Sequence, residues 1–184
     1  MVHEIRVIHK ATTYSGNNKF QNHIAISGIL LLIYKVMLKI GDRMPYFEVQ
    51  DQDGNTVNSG ELLGRKTIIY FYPKDNTSGC TAEACNLRDN YEALVAKGYN
   101  VIGVSKDSVK SHKNFKDKHA LPFTLLADTA TEMIKSFGVW GEKTLYGRKY
   151  MGTLRTTFIF DEAGILREII EKVDTNNHAA QILK

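Results

Sequence analysis

Residues 66–72 read KTIIYFY, an unbroken β-branched and aromatic run closed by Pro73, which is the pattern of a strand buried on both faces. The period then changes. Ala84, Leu87, Tyr91, Leu94 and Val95 recur at helical spacing, and Gly98 stands where a helix ends in the left-handed conformation. Strand, loop and helix in that order open a βαβ unit. Residues 99–104 read as the next strand, 108–119 as a polar helix with Val109, His112 and Phe115 on one face, and 123–127 as a further strand. Thr129 and Glu132 have capping-box spacing for a helix that ends near Phe137, ahead of Gly138. Residues 154–160, a turn over 161–164 and residues 165–173 read as a hairpin, and a last helix begins near Asn177. Upstream, residues 46–50 alternate weakly, residues 51–55 carry turn chemistry, and residues 56–58 return as the second arm of an N-terminal β-hairpin. This order predicts an α/β domain whose mixed central β-sheet is flanked by helices. It places the segment around residue 80 at a strand-to-helix junction.

Composition narrows the class. With 184 residues, 43% hydrophobic and 24% charged, and with 3 Pro and 14 Gly, the chain is neither collagen-like nor disordered nor a disulfide scaffold. Its length suits one domain with a sizeable core. The formal charge of +4 is concentrated at the start, where residues 1–36 hold Arg6, Lys10, Lys19 and Lys35 against Glu4. The remainder holds 20 basic and 19 acidic residues, so it has no cationic excess with which to displace counterions, and nucleic acid is set aside as a partner. Residues 24–34 (IAISGILLLIY) form the one strongly apolar run, too short to span a bilayer and not followed by a small-residue cleavage site. The domain is therefore expected over 37–184, in the cytoplasm and not in a membrane. Residues 1–36 are read as an extension upstream of a natural start at Met37, with a packed extra helix or an export signal as the alternatives.

Cys80 and Cys85 are the only two cysteines, with four residues between them. A staple closing so short a loop does little for a domain of this size, so the pair is either reactive or simply buried. Cys80 falls in the first turn of the predicted helix, where unpaired N–H groups and the positive end of the helix dipole favour thiolate over thiol. Five residues along one helix separate Cα atoms by about 8.7 Å, whereas a disulfide needs them within about 7 Å. If both cysteines belong to one helix, they can bond only after it locally unwinds. The junction position and the Thr77 hydroxyl just before Cys80 favour a redox pair over two small apolar core residues. Zinc would need two more ligands, and His112, His119 and His178 stand at no ligand spacing and read as surface or helix-face residues. The spacing also departs from the C-x-x-C of thioredoxin-like exchangers.

The stretch from Tyr70 through Pro73, Thr77, Ser78, Gly79 and Cys80 to Cys85 (YFYPKDNTSGCTAEAC) resembles the active site of peroxiredoxins of the bacterioferritin comigratory protein group, or Q group. Pro73, Thr77 and Cys80 match its P-x-x-x-T-x-x-C pattern. Gly152 to Ile159 (GTLRTTFI) resembles the family's second signature, whose arginine falls on Arg155, and residues 37–42 resemble its usual opening. The likeness spans essentially 37–184. It implies a thioredoxin-like fold and a thiol-dependent peroxidase that needs no metal, haem or flavin. Cys80 would be the peroxidatic cysteine and Cys85 the resolving one, and thioredoxin or a similar dithiol would reduce their disulfide. Thr77, the N–H groups of Gly79 and Cys80, and Arg155 would receive the charge developing on the peroxide's leaving oxygen. Pro73 would shield the sulfur. Ser78 departs from the family's usual proline, which removes a backbone restraint and bears on loop rigidity. The resemblance also implies a monomer. A general thiol–disulfide exchanger and a redox-regulated binding module are the rival readings of the same pair.

Overall fold

The computed structural model describes residues 37–145 and 147–184; the apolar run and the rest of residues 1–36 lie outside the described residues. Its centre is a five-stranded mixed sheet. The KTIIYF run forms strand β3 (Lys66–Phe71), with β4 (Tyr99–Ser105) parallel on one side and β8 (Thr156–Phe160) antiparallel on the other. Strand β5 (Thr124–Ala127) extends the sheet beyond β4 in parallel, and β9 (Leu166–Ile170) closes the far edge against β8. Strands β1 (Glu48–Gln50) and β2 (Thr56–Asn58) form the expected N-terminal hairpin, with Val49 opposite Val57.

Alternation along β3 divides the core in two. Ile68, Tyr70 and Tyr72 face one layer with Cys80, Leu87, Phe115 and Ile182, while Ile69 and Phe71 face the other with Phe137, Phe158 and Phe160. The first layer is built by helices α1 (Ser78–Asp89), α2 (Tyr91–Ala96), α3 (Val109–His119) and α5 (His178–Leu183). The second holds the short helix α4 (Glu132–Ser136), and its centre is Phe137, whose ring lies 5.0 Å from that of Phe71 and 5.5 Å from that of Phe158. Both faces of β3 are thereby covered, which is why its sequence is apolar at every position after Thr67.

Local expectations differ from the structure in three places. The helix expected through residues 84–95 is two helices, broken at Asn90 (φ −110°, ψ 13°). There the side-chain amide donates to the Asn86 carbonyl at 2.9 Å, a local bond that competes with the helix ladder. Gly98 (φ +83°) ends the second helix as expected. Thr129 does not cap α4; the Asp128 carboxylate does so, accepting from the N–H groups of Glu132 at 3.0 Å and Ile134 at 2.7 Å. A further hairpin, β6 (Trp140–Leu145) and β7 (Arg148–Thr153), precedes β8. Its second arm is exposed over Arg148–Met151, so no apolar alternation announced it.

Gly103 on β4 sits opposite Tyr70. A Cβ there would come within 2.7 Å of the Tyr70 ring and of Leu125 Cδ2. Gly103→Ala is expected to lower stability by about 1–3 kcal/mol through overpacking, read as a lower urea midpoint with an unchanged m-value.

Candidate active site

The segment between β3 and α1 is fixed by a buried carboxylate. Asp75 accepts from the Tyr72 hydroxyl and the Ser111 hydroxyl, each at 2.7 Å, and its other neighbour is His112 Nδ1 at 2.9 Å. His112 Nε2 lies 3.1 Å from the Leu126 carbonyl, so both ring nitrogens face oxygen acceptors. The Asp75 backbone N–H in turn donates to Asp107 at 2.9 Å. Burial alone would push the Asp75 carboxyl up, but His112, Ser111 and Tyr72 together hold it below the usual carboxylate range. The loop is thus tied to β4, β5 and α3 before the chain turns through Asn76 (φ 57°) into α1.

Thr77 is the N-cap residue of α1, but its side chain makes no capping bond. Its exposed hydroxyl donates to the Lys74 carbonyl at 3.1 Å. The N–H groups of Ser78, Gly79 and Cys80 precede the first i to i−4 bond, which Thr81 makes to Thr77 at 2.9 Å. Cys80 is therefore in the first turn, as expected, with its side chain buried at the positive end of the helix. Ser78 opens the helix at the position where proline is otherwise favoured.

The register of the sheet supplies the cation. Phe71 pairs with Thr156, so the residue before β8 lies beside the end of β3. That residue is Arg155. Its Nη2 is 3.2 Å from Cys80 Sγ, and its Nη1 pairs with the carboxylate of Glu83, one turn further along α1. Burial works against the guanidinium charge, but Glu83 and Cys80 outweigh it and hold Arg155 above its ordinary value. Glu83 is fully buried, and its other oxygen lies 3.2 Å from His178 Nδ1, while His178 Nε2 is 2.9 Å from the Thr157 hydroxyl. Cys80, Arg155, Glu83, His178 and Thr157 form one continuous polar cluster inside the apolar layer. Hairpin β6–β7 brings Lys143 to its edge, where burial and then Arg155 push the ammonium down while Cys80 pulls the other way.

The expected residues are distributed as follows. Cys80 and Arg155 are in direct contact, and Gly79 lies beside them, where a Cβ would be 3.6 Å from Arg155 Nη2. Pro73, half-buried, follows directly on β3 and Tyr72. Cys85 is on the same continuous helix as Cys80, and both thiols are free. His112 and His178 are not surface residues; both are fully buried, each against a carboxylate distant in sequence. Asp75 and Glu83 were not singled out from sequence. Glu83 does carry a signal, since it falls among Cys80, Ala84 and Leu87 on the buried stripe of α1, where an unpaired carboxylate is costly. Among the described residues, no three His, Cys, Asp or Glu side chains cluster as metal ligands would, and no helix is long and apolar enough to cross a membrane.

The AhpC/TSA family model matches residues 40–169, well over half of the chain. The chain belongs to this family. Two relatives named peroxiredoxin Bcp are similar to it: that of Escherichia coli K12, 41% identical over 79% of this chain and 94% of its own length, and that of Bacillus subtilis, 41% identical over 80% and 94%. Among solved structures, the bacterioferritin comigratory protein of Xanthomonas campestris, studied for alkyl peroxide reduction, superposes with a TM-score of 0.70 at 33% identity, covering 74% of this chain and 87% of that one. A cysteine-to-serine variant of Xylella fastidiosa PrxQ gives 0.76 at 29% identity, over 81% and 95%. The fold is accordingly the thioredoxin-like fold of the AhpC/TSA family, and the chain is an enzyme of the thiol-peroxidase class.

The low carboxyl pKa of Asp75 gives the loop a pH signature. A depressed folded-state value means that its contribution is complete above the unfolded value of about 4 and is lost as pH falls through the folded one. Asp75→Asn is expected to cost about 3 kcal/mol at pH 7, as for one broken member of a buried pair. Urea midpoints at pH 7 and pH 3 should then differ less in the variant than in the parent.

Proposed function

We propose that Cys80 is the peroxidatic cysteine and Cys85 the resolving cysteine of this peroxidase, acting on hydrogen peroxide and organic hydroperoxides. The observation that carries the reading is the 3.2 Å contact between Arg155 Nη2 and Cys80 Sγ in the first turn of α1. A fixed cation and a helix N-terminus both favour the thiolate, which is the nucleophilic form. Its attack on one peroxide oxygen forms S–O and breaks O–O, and the electron pair leaves on the second oxygen, which takes a proton to become water or an alcohol. Arg155 and the N–H groups of Gly79 and Cys80 stabilise that leaving oxygen. Thr77 joins them once its hydroxyl exchanges the Lys74 carbonyl for the peroxide, and Pro73 limits water at the sulfur.

The product is a Cys80 sulfenic acid. The Cys85 thiol condenses with it, forming S–S, breaking S–O and releasing water. Because both cysteines lie on continuous helix, the two sulfurs meet only when α1 opens between them. Thioredoxin or a similar dithiol then reduces the exposed disulfide by exchange. No metal, haem or flavin enters this cycle, and the enzyme works as a cytoplasmic monomer.

Intact-mass measurement after one equivalent of hydrogen peroxide tests the sequence of steps. The parent is expected to lose about 2 Da and Cys85→Ser to gain about 16 Da; no change in either within seconds would overturn the assignment. Arg155→Met is expected to slow peroxide consumption by roughly 10²–10³, measured by stopped flow, and to lower the urea midpoint as well, since Glu83 is left buried without its cation.

A further inference from the structure

Cys85 has a base of its own. Helix α3 ends at His119, where Ala120 turns into the left-handed conformation (φ +50°), and this end of α3 packs against α1. His119 Nδ1 lies 4.0 Å from Cys85 Sγ. The ring is held edge-on to Phe115, with centroids 5.1 Å apart, and its backbone carbonyl accepts from Arg88 Nη1 at 2.8 Å. Arg88 lies three residues beyond Cys85 on α1 and is held to this end of α3 by that bond. The charged groups facing the imidazole are thus Arg88 from α1 and Lys118 from its own helix, with Cys85 the titratable partner. Burial, then Lys118 and Arg88, push the imidazole below its ordinary value, so near neutral pH it is unprotonated and able to accept a proton.

We propose that His119 is a catalytic residue for the second chemical step, acting as the general base that ionises the resolving thiol. The proposal rests on the reading of Cys85 as that thiol. A thiol of ordinary acidity is only a few per cent ionised at pH 7, and the thiol form does not attack a sulfenic sulfur. In the folded helix the Cys85 S–H bond breaks and its proton passes to His119 Nδ1. When α1 opens, the Cys85 sulfur forms the S–S bond to Cys80 and is oxidised. The Cys80 S–O bond breaks with its electron pair, and the departing hydroxide becomes water with the proton that the imidazolium releases. No further oxidant or reductant is needed. Cys80 needs no such base, because Arg155 and the helix N-terminus already favour its thiolate. Cys85, the eighth residue of α1, has no comparable help from the dipole.

The test follows disulfide formation in the full chain by quenched-flow mass spectrometry after one equivalent of hydrogen peroxide, for the parent and His119→Gln, from pH 6 to pH 9.5. The first step, oxidation of Cys80, is expected at the parental rate, which also reports that the variant is folded. Disulfide formation is expected to be roughly ten- to a hundredfold slower at pH 7, with the deficit closing towards pH 9.5, where hydroxide in solution takes the thiol proton in place of His119. Excess peroxide should then drive more of the variant to the sulfinic acid. Equal rates at pH 7, a deficit unchanged across the pH range, or a faster reaction would overturn the proposal, since a merely structural contact would give one of these. If the parent itself forms no disulfide, the reading of Cys85 as the resolving thiol falls, and the role of His119 falls with it.

Discussion

The antiparallel register of β3 against β8 is the constraint on which the site depends. It sets Thr156 opposite Phe71 and so delivers Arg155, from the turn after hairpin β6–β7, to the sulfur at the start of α1. A slip of one residue would turn Arg155 to the opposite face, away from Cys80. That register is in turn fixed by burial. Ile68, Ile69, Tyr70, Phe71, Phe158 and Phe160 are all closed off from solvent, with Ile69 set opposite Phe158 and Thr67 opposite Phe160. An apolar core of ordinary composition thus positions a polar contact.

The polar groups beneath the sulfur follow the logic of buried charge. Arg155 and Glu83 each lose hydration inside the first layer, and neither is tolerable there alone. Together, and with His178 and Thr157 on the far side of Glu83, they make a set in which each charge has a partner on a different element. Asp75 and His112 repeat the arrangement on the other side of the loop, between the active-site segment and α3. Neither set adds much net stability over a well-packed apolar replacement. Each does fix where its loop or helix must stand, because separating the partners would leave an uncompensated buried charge.

How far this was legible in sequence depends on the range of each interaction. Strand β3, the strands that flank it, the closing hairpin and the first-turn position of Cys80 follow from short-range periodicity and turn chemistry, and they are where the sequence places them. Arg155 could be reached because a lone cation in a β-forming run demands a special environment, and the family signature pointed to the same residue. His112 and His178 could not. The face shared with Val109 and Phe115 does mark His112 as inward, but the partners of both lie on other elements, and nothing within a few residues of either names the carboxylate it meets. The break at Asn90 and the cap from Asp128 were lost for a different reason: short polar side chains decide those details one bond at a time, and several neighbours were equally able to form each bond.

One tension runs through the first helix. The same continuous turns that hold Cys80 at the positive end of α1 keep Cys85 too far along the axis to bond with it. Those turns are fastened from three directions: by Glu83 to Arg155, by Arg88 to the carbonyl of His119, and by Asn86, which donates to the Asn176 carbonyl at 2.7 Å and accepts from the Ala179 N–H at 2.8 Å. The Arg88 and Asn86 bonds each contribute on the order of 1 kcal/mol net, whereas the buried Glu83–Arg155 pair and the packed side chains of Ala84 and Leu87 hold the helix more firmly. The Arg88 and Asn86 bonds can be exchanged for water when the helix opens, whereas the layer on the far side of the sheet need not move. The break at Asn90 limits the cooperative unit to α1, so opening need not carry α2 with it. In the proposed cycle, activation of the first thiol needs an ordered helix and capture by the second needs that helix to yield. A local opening of α1 that leaves the far layer of the core in place meets both requirements without unfolding the domain.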